Sequence, residues 1–326
     1  MSETPTTIAR STTTQMIDAR ARNWADALLR DLEIPTRLLP ALVEPGSVLG
    51  GLKADAAPRL EGTPVVAPAC HDTGSAVASV PAFGRRAFLS SGTWSLLGTE
   101  VQTPIITPRA LEVNFTNEGG VAGTTRLLKN IGGLWLLQSC RRGWARDGRN
   151  YDYAELMDAA GDDRHAFLSL FDPDDPVFLH PPDMARAIGD YCRRTGQPEP
   201  AGPAPITRAI LESLAFKYRV VLDTLEALTG IAITEIQIVG GGSRNRLLNQ
   251  FTADATGRTV LAGPAEATAL GNIAMQMLAT GAVSSVAEAR RIIEYSFPVD
   301  RFEPEAADRW AAHYRRFQDY VELTCV

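Results

Sequence analysis

Apolar residues recur at helical spacing along several parts of the chain, most clearly from Ile206 to Leu228. There they trace one face of a helix, and Gly230 stands where a C-cap is expected. Three shorter patterns of the same period predict further helices, over residues 14–32, 126–142 and 303–323. The pair Gly132–Gly133 lowers helical propensity inside the second of these patterns and indicates close packing.

Short apolar runs between glycine, proline and polar residues predict strands. One strand is expected to be buried over residues 63–68. Two more, over 86–91 and 96–101, are close enough along the chain to form an antiparallel pair. Pro40 and Pro45 predict a loop or short helix at 38–49, and the polar, glycine-rich stretch 114–123 predicts a loop.

The C-terminal third of the chain alternates between the strand and helix periods. Its elements are predicted in the order strand 236–239, glycine turn 240–242, helix 244–255, strand 259–262 and helix 265–280. Strands that alternate with helices are typical of a sheet covered by helices. The predicted fold class is therefore α/β.

The composition of the 326 residues argues against several classes of function. A net charge of -6 disfavours a nucleic-acid-binding protein, which is usually basic. The four cysteines include no C-x-x-C pair and the four histidines lie in unrelated contexts, so neither a zinc site nor a histidine metal cluster is expected. We see no signal peptide and no apolar run of about 20 residues, and we expect a soluble, cytoplasmic protein.

A carboxylate follows the predicted strand at 63–68, in the string His71-Asp72-Thr73-Gly74-Ser75. An aspartate at a strand end can enter a cleft and accept the proton of a substrate hydroxyl that attacks a phosphoryl group. It can also cap a helix over residues 75–80, and the residues alone favour that structural role.

Three stretches of small residues could approach a ligand. The string Ser90-Ser-Gly-Thr-Trp-Ser95 offers backbone N–H groups and hydroxyls to phosphate, although such turns are also common in hairpins. Gly240–Gly242 opens a helix after a strand, and three glycines where one would make a tight turn indicate an anionic ligand. It matches neither G-x-G-x-x-G nor Walker A, which disfavours a nicotinamide enzyme. The stretch 262–272 allows a ligand or a closely packed helix equally well.

In this order and at these spacings, the strings resemble the FGGY carbohydrate kinases, and within that family the rhamnulokinase group. The resemblance covers nearly the whole chain. It is carried by Ser11–Gln15 with Asp18, Val43–Gly46, His71–Thr73, Ser90–Ser95, Asn114–Gly120, Leu128–Asn130, Gly133–Gln138, Leu211–Ala215, Ile238–Gly242 and Gly271–Asn272. The strings at 114–120 and 129–138 are the most specific, because other members of the family vary there.

The resemblance implies an activity and a fold. The fold would be the ribonuclease-H-like or actin-like ATPase fold, and the reaction would transfer the ATP γ-phosphoryl group to the 1-hydroxyl of L-rhamnulose, with Mg²⁺. Asp72 would bind the sugar and take its hydroxyl proton, so that catalysis outweighs capping at this position. His71, Thr73 and Asn130 would also contact the sugar.

The resemblance also implies the nucleotide contacts. Thr93 would lie on the ATP phosphates, and Gln138 would face the nucleotide. The turn of Gly240, Gly241 and Gly242 would hold it, with Gly241 directly against it. The implied partners are a small sugar and ATP, with no nucleic acid and no membrane.

The resemblance begins inside the family's first domain. Family members start with a strand and a phosphate-binding turn, and we expect the phosphate donors, a Mg²⁺-orienting carboxylate and one wall of the sugar pocket to be missing here. Residues 1–75 would be the end of an N-terminal sugar-binding domain, and 76–326 a complete C-terminal nucleotide-binding domain. Two alternatives stay open, a fragment that binds nucleotide without catalysis and a kinase for another ketose such as fuculose or xylulose. The missing N-terminal part would also favour self-association.

Overall fold

The structure is a computed structural model that describes residues 5–81 and 84–324, so that Cys325 lies outside the described residues. The strands in that part of the chain are β1 (Thr6–Thr7), β2 (Ile17–Asp18), β3 (Asn23–Trp24), β4 (Leu42–Val43), β5 (Ser47–Gly51), β6 (Pro64–Ala67), β7 (Arg86–Ser91), β8 (Trp94–Val101), β9 (Thr116–Gly119), β10 (Thr125–Gly132), β11 (Glu235–Val239), β12 (Thr259–Ala262) and β13 (Asp300–Phe302). The α-helices are α1 (Ile8–Ser11), α2 (Asp26–Asp31), α3 (Asp72–Ala78), α4 (Pro108–Glu112), α5 (Trp135–Arg146), α6 (Tyr153–Ala160), α7 (Met184–Arg194), α8 (Pro203–Thr229), α9 (Arg246–Thr256), α10 (Ala267–Ala279), α11 (Val286–Ser296) and α12 (Ala307–Thr324).

Seven strands form the largest sheet, in the order β13-β12-β11-β7-β8-β10-β9. β11 and β12 are parallel, whereas the pairs β12–β13 and β9–β10 are antiparallel. β7 and β8 are neighbours joined by two residues, a connection that allows only antiparallel pairing, as predicted. The sheet is therefore mixed, and the predicted α/β class is confirmed.

The chain divides into two compact units. The first unit comprises Met1–Phe88, Gly98–Lys129 and Glu266–Pro298. The second unit comprises Leu89–Leu97, Asn130–Ala265 and Val299–Val326. The division into a domain at 1–75 and a domain at 76–326 rests on the family resemblance and stays a prediction. Within the described residues, no helix is both long and apolar enough to cross a bilayer.

The long helix predicted from the apolar pattern is α8, the centre of the second unit. It is buried along most of its length. Its C-cap Gly230 adopts the left-handed conformation (φ 68°) and donates its N–H to the backbone carbonyl of Glu226. Phe216 on its buried face packs against Trp310 and Phe317 of α12, with ring centroids 4.8 and 5.4 Å away. The predicted elements of the C-terminal third are also present, as β11, α9, β12 and α10.

The helix predicted over residues 126–142 is wrong in its first half. Residues 125–132 form β10, and the helix α5 starts only at Trp135. Nearly every side chain of β10 is buried, on both faces. Its apolar residues Leu127, Leu128 and Ile131 recur at a spacing of three to four that continues into α5, so their pattern resembles that of a helix. The close packing expected at the glycine pair is confirmed, because a Cβ on Gly133 would lie 2.6 Å from the carbonyl oxygen of Thr93.

The helix predicted over residues 14–32 is also wrong, because only α2 is helical there. Before it, the Asp18 carboxylate accepts the N–H groups of Arg20 and Ala21, and a side chain that binds local backbone in this way competes with helix formation. Gln15 and Arg22 have positive φ, which breaks the helical run.

Two predicted loops and one predicted buried strand need correction in the first unit. The region 38–49 contains β4 and the start of β5, and the loop at 114–123 contains β9. The strand predicted at 63–68 is present as β6, but it is buried only at Ala67 because it pairs with β5 in a two-stranded sheet. β4 and β9 span only two and four residues, which is too short for a period to be recognised.

Two helices of the first unit, α3 and α10, cross in backbone contact. A Cβ added to Gly271 would overlap the carbonyl oxygen of Ser75. Near the same crossing, Thr268 donates its hydroxyl to the backbone carbonyl of Asp72 at 3.2 Å. Of the two roles considered for the stretch 262–272, close helix packing is therefore the one observed at Gly271.

We predict that Gly271→Ala destabilises the protein by more than about 3 kcal/mol, because the added methyl group has no space between two backbones. Gly143→Ala, in the open middle of α5, is the matched control and should change stability by less than about 1 kcal/mol. Urea unfolding followed by circular dichroism measures both. Equal stability of the two variants would contradict the observed crossing.

Candidate active site

The candidate base Asp72 is the first residue of α3, in the first unit. The helix begins at Asp72 rather than at residue 75, and its N-cap is His71, whose Nδ1 accepts the N–H of Gly74 at 3.3 Å. The capping role considered for Asp72 is therefore wrong. Its side chain is 81% exposed, and Oδ1 accepts the N–H of Thr73 at 2.7 Å. Most of the carboxylate is left available to a ligand.

The imidazole of His71 lies beside this carboxylate, with Nε2 3.6 Å from Asp72 Oδ1. Burial lowers the pKa of His71, and the charge of Arg126 lowers it further, although Glu118 and Asp72 act in the opposite direction. The pKa therefore lies below the ordinary value of 6.5, so that the ring is neutral at pH 7. Because Nδ1 accepts a hydrogen bond, the proton lies on Nε2, on the side of Asp72.

A buried charged pair lies near the turn, and the sequence interpretation missed it. The side chain of Arg126 on β10 is 0% exposed, and its Nη2 lies 3.0 Å from Glu118 Oε2 on β9. Its Nε donates to the carbonyl of Gly119 at 3.1 Å. The pattern gave no signal for this residue, because the segment was interpreted as a helix. Thr73, a predicted sugar contact, is only 5% exposed, and that role stays a prediction.

The second unit contains a large cavity of about 1120 Å³, a volume sufficient for a nucleotide. Its wall is mainly apolar and carries several cationic and amide groups. The lining residues are Gly92, Leu134, Gln138, Tyr153, Ala154, Met157, Asp158, Gly161, Gly241, Gly242, Arg244, Asn245, Arg246, Leu247, Gln250 and Phe302.

The three glycines after β11 do not share one role. Gly240 has φ 81°, and a Cβ there would lie 3.0 Å from the carbonyl oxygen of Ser91. A Cβ on Gly242 would overlap the Ser91 hydroxyl, whereas a Cβ on Gly241 would meet nothing within 4 Å. Gly240 and Gly242 therefore allow the turn to pack on the end of β7, and Gly241 presents open backbone to the cavity.

The turn between β7 and β8 lies against the start of α5. The carbonyls of Gly92 and Thr93 accept the N–H groups of Leu134 and Trp135 at 3.1 and 3.0 Å. The Thr93 hydroxyl is 3.4 Å from Gln138 Oε1. The second unit thus brings together Thr93, Gln138 and the glycine turn, which the sequence had assigned to one ligand.

Asn130, a predicted sugar contact, is exposed on β10, two residues before Gly132. Gly132 donates its N–H to Asp174 Oδ1 at 2.7 Å, and the buried Lys217 pairs with both Asp172 and Asp174. This network fixes the end of the strand that carries Asn130.

One wall of the cavity was missed in the sequence, and it comes from α6. Tyr153 and Met157 lie one turn apart on this helix, and Arg141 stacks on the Tyr153 ring at 4.1 Å. The available signal was the capping box of Asp152 and Glu155, which marks the start of the helix. That signal locates α6 but says nothing about what it faces.

Comparison with known proteins now identifies the family. Residues 87–280 match the C-terminal domain of the FGGY family of carbohydrate kinases. The chain belongs to the FGGY family of carbohydrate kinases. The family resemblance seen in the sequence is thereby confirmed.

Curated members of the FGGY family include proteins similar to almost the whole chain. The rhamnulokinase of Bacteroides thetaiotaomicron is 46% identical over 95% of this chain and 64% of its own length. The rhamnulokinase of Pectobacterium carotovorum subsp. carotovorum is 46% identical over 94% of this chain and 61% of its own length. The chain thus spans less than two thirds of the length of these relatives.

A solved structure shows the same fold. The xylulose kinase of Rhodospirillum rubrum superposes with a TM-score of 0.73, at 18% identity, over 98% of this chain and 64% of that one. At such low identity the likeness concerns the fold alone. The predicted actin-like ATPase fold is confirmed.

We predict that Gly242→Ala lowers the free energy of unfolding by about 2 kcal/mol or more, because the methyl group would collide with Ser91. Gly241→Ala is the matched control, one residue away and with open space around it, and should unfold like the wild type. Chemical denaturation of both proteins measures the difference. A stable Gly242→Ala protein would show that the turn does not depend on the glycine at this position.

Proposed function

We propose that the protein transfers the γ-phosphoryl group of ATP to the 1-hydroxyl of L-rhamnulose, forming L-rhamnulose 1-phosphate and ADP. The observation that carries the proposal is the exposed carboxylate of Asp72 at the start of α3, in a chain 46% identical to rhamnulokinases. The chain spans 64% of that relative's length, so the relative's activity is proposed for this chain and not transferred to it as a finding.

Asp72 is the proposed general base. As the 1-hydroxyl oxygen bonds to the γ-phosphorus, the hydroxyl proton passes to the carboxylate and the bond from phosphorus to the bridging oxygen of ADP breaks. His71, with a neutral ring and Nε2 on the side of Asp72, is a proposed sugar contact. Thr73 and Asn130 are proposed as further sugar contacts by the family resemblance.

The cavity of the second unit is the proposed nucleotide site. Its volume suits ATP, and the open backbone at Gly241 lets a ligand approach without a side chain in between. Leu134, Met157 and Leu247 supply apolar surface of the kind that covers a nucleobase. Thr93 and Gln138 are proposed contacts, and Gly240 and Gly242 hold the turn in place.

Mg²⁺ is proposed to accompany the nucleotide. The described residues form no group of three or more His, Cys, Asp or Glu side chains that could hold a metal ion, so they do not fit a protein-bound cluster. No step of the reaction is assigned to such a cluster. Mg²⁺ commonly binds through substrate phosphates and water with only one or two carboxylates.

The remaining proposals concern organisation and location. We place the sugar-binding remnant at 1–75 and the nucleotide-binding domain at 76–326, as the resemblance implies. We also propose a cytoplasmic location, with a small sugar and ATP as the partners. Self-association of the chain, or association with a further N-terminal segment, is part of the same proposal.

Nucleotide binding without phosphoryl transfer is the second candidate function of this chain. It is favoured by one observation: Gln138, Gly241 and Gly242 line one cavity within a single unit. ATP binding measured by calorimetry, with no ADP release in the presence of any ketose, would support this candidate over the kinase.

We predict ATP-dependent release of ADP with L-rhamnulose, and a loss of about 10²- to 10⁴-fold in kcat for Asp72→Asn, because the amide cannot accept the hydroxyl proton. Asp147→Asn is the matched control. It makes the same substitution at another exposed carboxylate, which pairs with Arg149, and it should retain wild-type kcat. A coupled ADP assay measures both variants. L-Fuculose and xylulose at equal concentration test the other ketoses, and wild-type kcat in Asp72→Asn would overturn the assignment of the base.

We predict that Gly241→Val weakens ATP binding about tenfold or more while thermal stability is retained, because its side chain would occupy open space in the cavity. Ala185→Val, on α7 and outside the cavity lining, is the control and should bind ATP like the wild type. Isothermal titration calorimetry with ATP and Mg²⁺ measures the affinity. Unchanged affinity in Gly241→Val would place the nucleotide elsewhere.

A further inference from the structure

A buried cation below the Asp72 turn has no role in the function proposed above. The Arg126 side chain is 0% exposed, and its Nη1 is buried without a hydrogen-bond partner among the described residues. Its other polar contacts are the ion pair with Glu118 and the bond from Nε to Gly119. A buried guanidinium that is only partly satisfied is costly, so its retention calls for an explanation beyond packing.

The guanidinium is directed at the turn that carries the base. Arg126 Nη2 lies 3.4 Å from the position a Cβ on Gly74 would take, and Gly74 is the residue whose N–H bonds to His71. The absence of a side chain at Gly74 lets the cation approach the backbone of the first turn. Burial lowers the pKa of Arg126, and the charges of Glu118, Glu100 and Asp72 act in the opposite direction, so that Arg126 and Asp72 interact electrostatically.

The charged groups around His71 come from several elements. The charges of Glu118 on β9 and Arg126 on β10 act on it, and Asp72 is its neighbour in sequence. Glu100 on β8 acts on Arg126, and Arg290 on α11 pairs with Glu100. α10, which crosses α3, carries no titratable side chain between Ala267 and Ala279, and Glu266 precedes it.

We propose that Arg126 is a positioning residue for the reaction: its buried guanidinium holds His71 in the neutral form that caps α3, and thereby keeps the Asp72 carboxylate free for the sugar hydroxyl. The proposal rests on the assignment of Asp72 as the base. Arg126 itself touches no substrate, because it is buried completely.

Loss of the Arg126 charge would favour protonation of His71, and each nitrogen of the imidazole ring would then change its contacts. A protonated His71 carries a proton on Nδ1, which can then no longer accept the N–H of Gly74, and the cap is lost. The same ring would form an ion pair with Asp72, whose Oδ1 is already 3.6 Å from Nε2. That ion pair would compete with the sugar hydroxyl for the carboxylate.

The first test measures His71 without any assay of activity. The chain has four histidines, and the NMR signal of His71 is the one that disappears in His71→Gln. We expect its titration to move to higher pH in Arg126→Met and to lower pH in Glu118→Gln, because Glu118 opposes the effect of Arg126. Arg126→Lys keeps the charge and should titrate close to the wild type.

The control removes a comparable cation from the other end of the same helix. Arg290 pairs with Glu100 at 2.6 Å and donates to the carbonyls of Val77 and Ala78, so Arg290→Met should also loosen α3. It should nevertheless leave the His71 titration unchanged. If Arg126→Met does not fold, Glu118→Gln and Arg126→Lys still decide, and an unchanged His71 titration in Glu118→Gln would overturn the proposal.

The second test is the pH profile of turnover. Arg126→Met should lower kcat/KM by about tenfold at pH 5.5, one unit below the ordinary histidine pKa of about 6.5, and by much less at pH 8. An equal loss at both pH values would reduce Arg126 to a structural role and overturn the proposal. A shifted His71 titration in a protein that turns over no ketose would instead uphold the electrostatic role of Arg126 and refute the kinase function.

Discussion

The backbone contact between α3 and α10 is the constraint on which the position of the candidate base depends. At Gly271 the two helices approach too closely for any side chain, and Thr268, one turn earlier, bonds to the carbonyl of Asp72. Such an approach fixes the axis of α3 and therefore the direction in which its first residue points. The exposed Asp72 carboxylate is thus held by backbone geometry, although few side chains touch it.

Buried charges then fix the two ends of the same short helix. Arg290 donates to the last carbonyls of α3 and pairs with Glu100, which in turn accepts the hydroxyl of Thr124. Arg126 and Glu118 lie at the first turn. Buried ion pairs seldom add net stability, since desolvation offsets their attraction. Their effect on α3 is better understood as orientation, which a catalytic carboxylate requires and a purely apolar core would not supply.

How far the sequence predicts this structure depends on whether a signal is local. The period of apolar residues located α8 and its glycine cap, and turn residues located β7 and β12. The same period failed at 126–142, because the few apolar residues of β10 are spaced like those of a helix although the strand is buried on both faces. The family resemblance, and not the pattern, singled out Asp72 as a base. Tyr153 stayed unrecognised, since its place in the cavity depends on residues far apart in the chain.

The contacts made by the two most specific strings of the resemblance suggest why their residues matter. In 114–120, Asn117 exchanges two hydrogen bonds with the backbone of Ile105, and Glu118 pairs with Arg126. In 129–138, Gly133 packs on the turn that carries Thr93. Neither string contains the candidate base, although the second contains the predicted contacts Asn130 and Gln138. Because they shape the surroundings of the candidate site residues, we expect changes there to alter the site while leaving Asp72 and Gly241 in place.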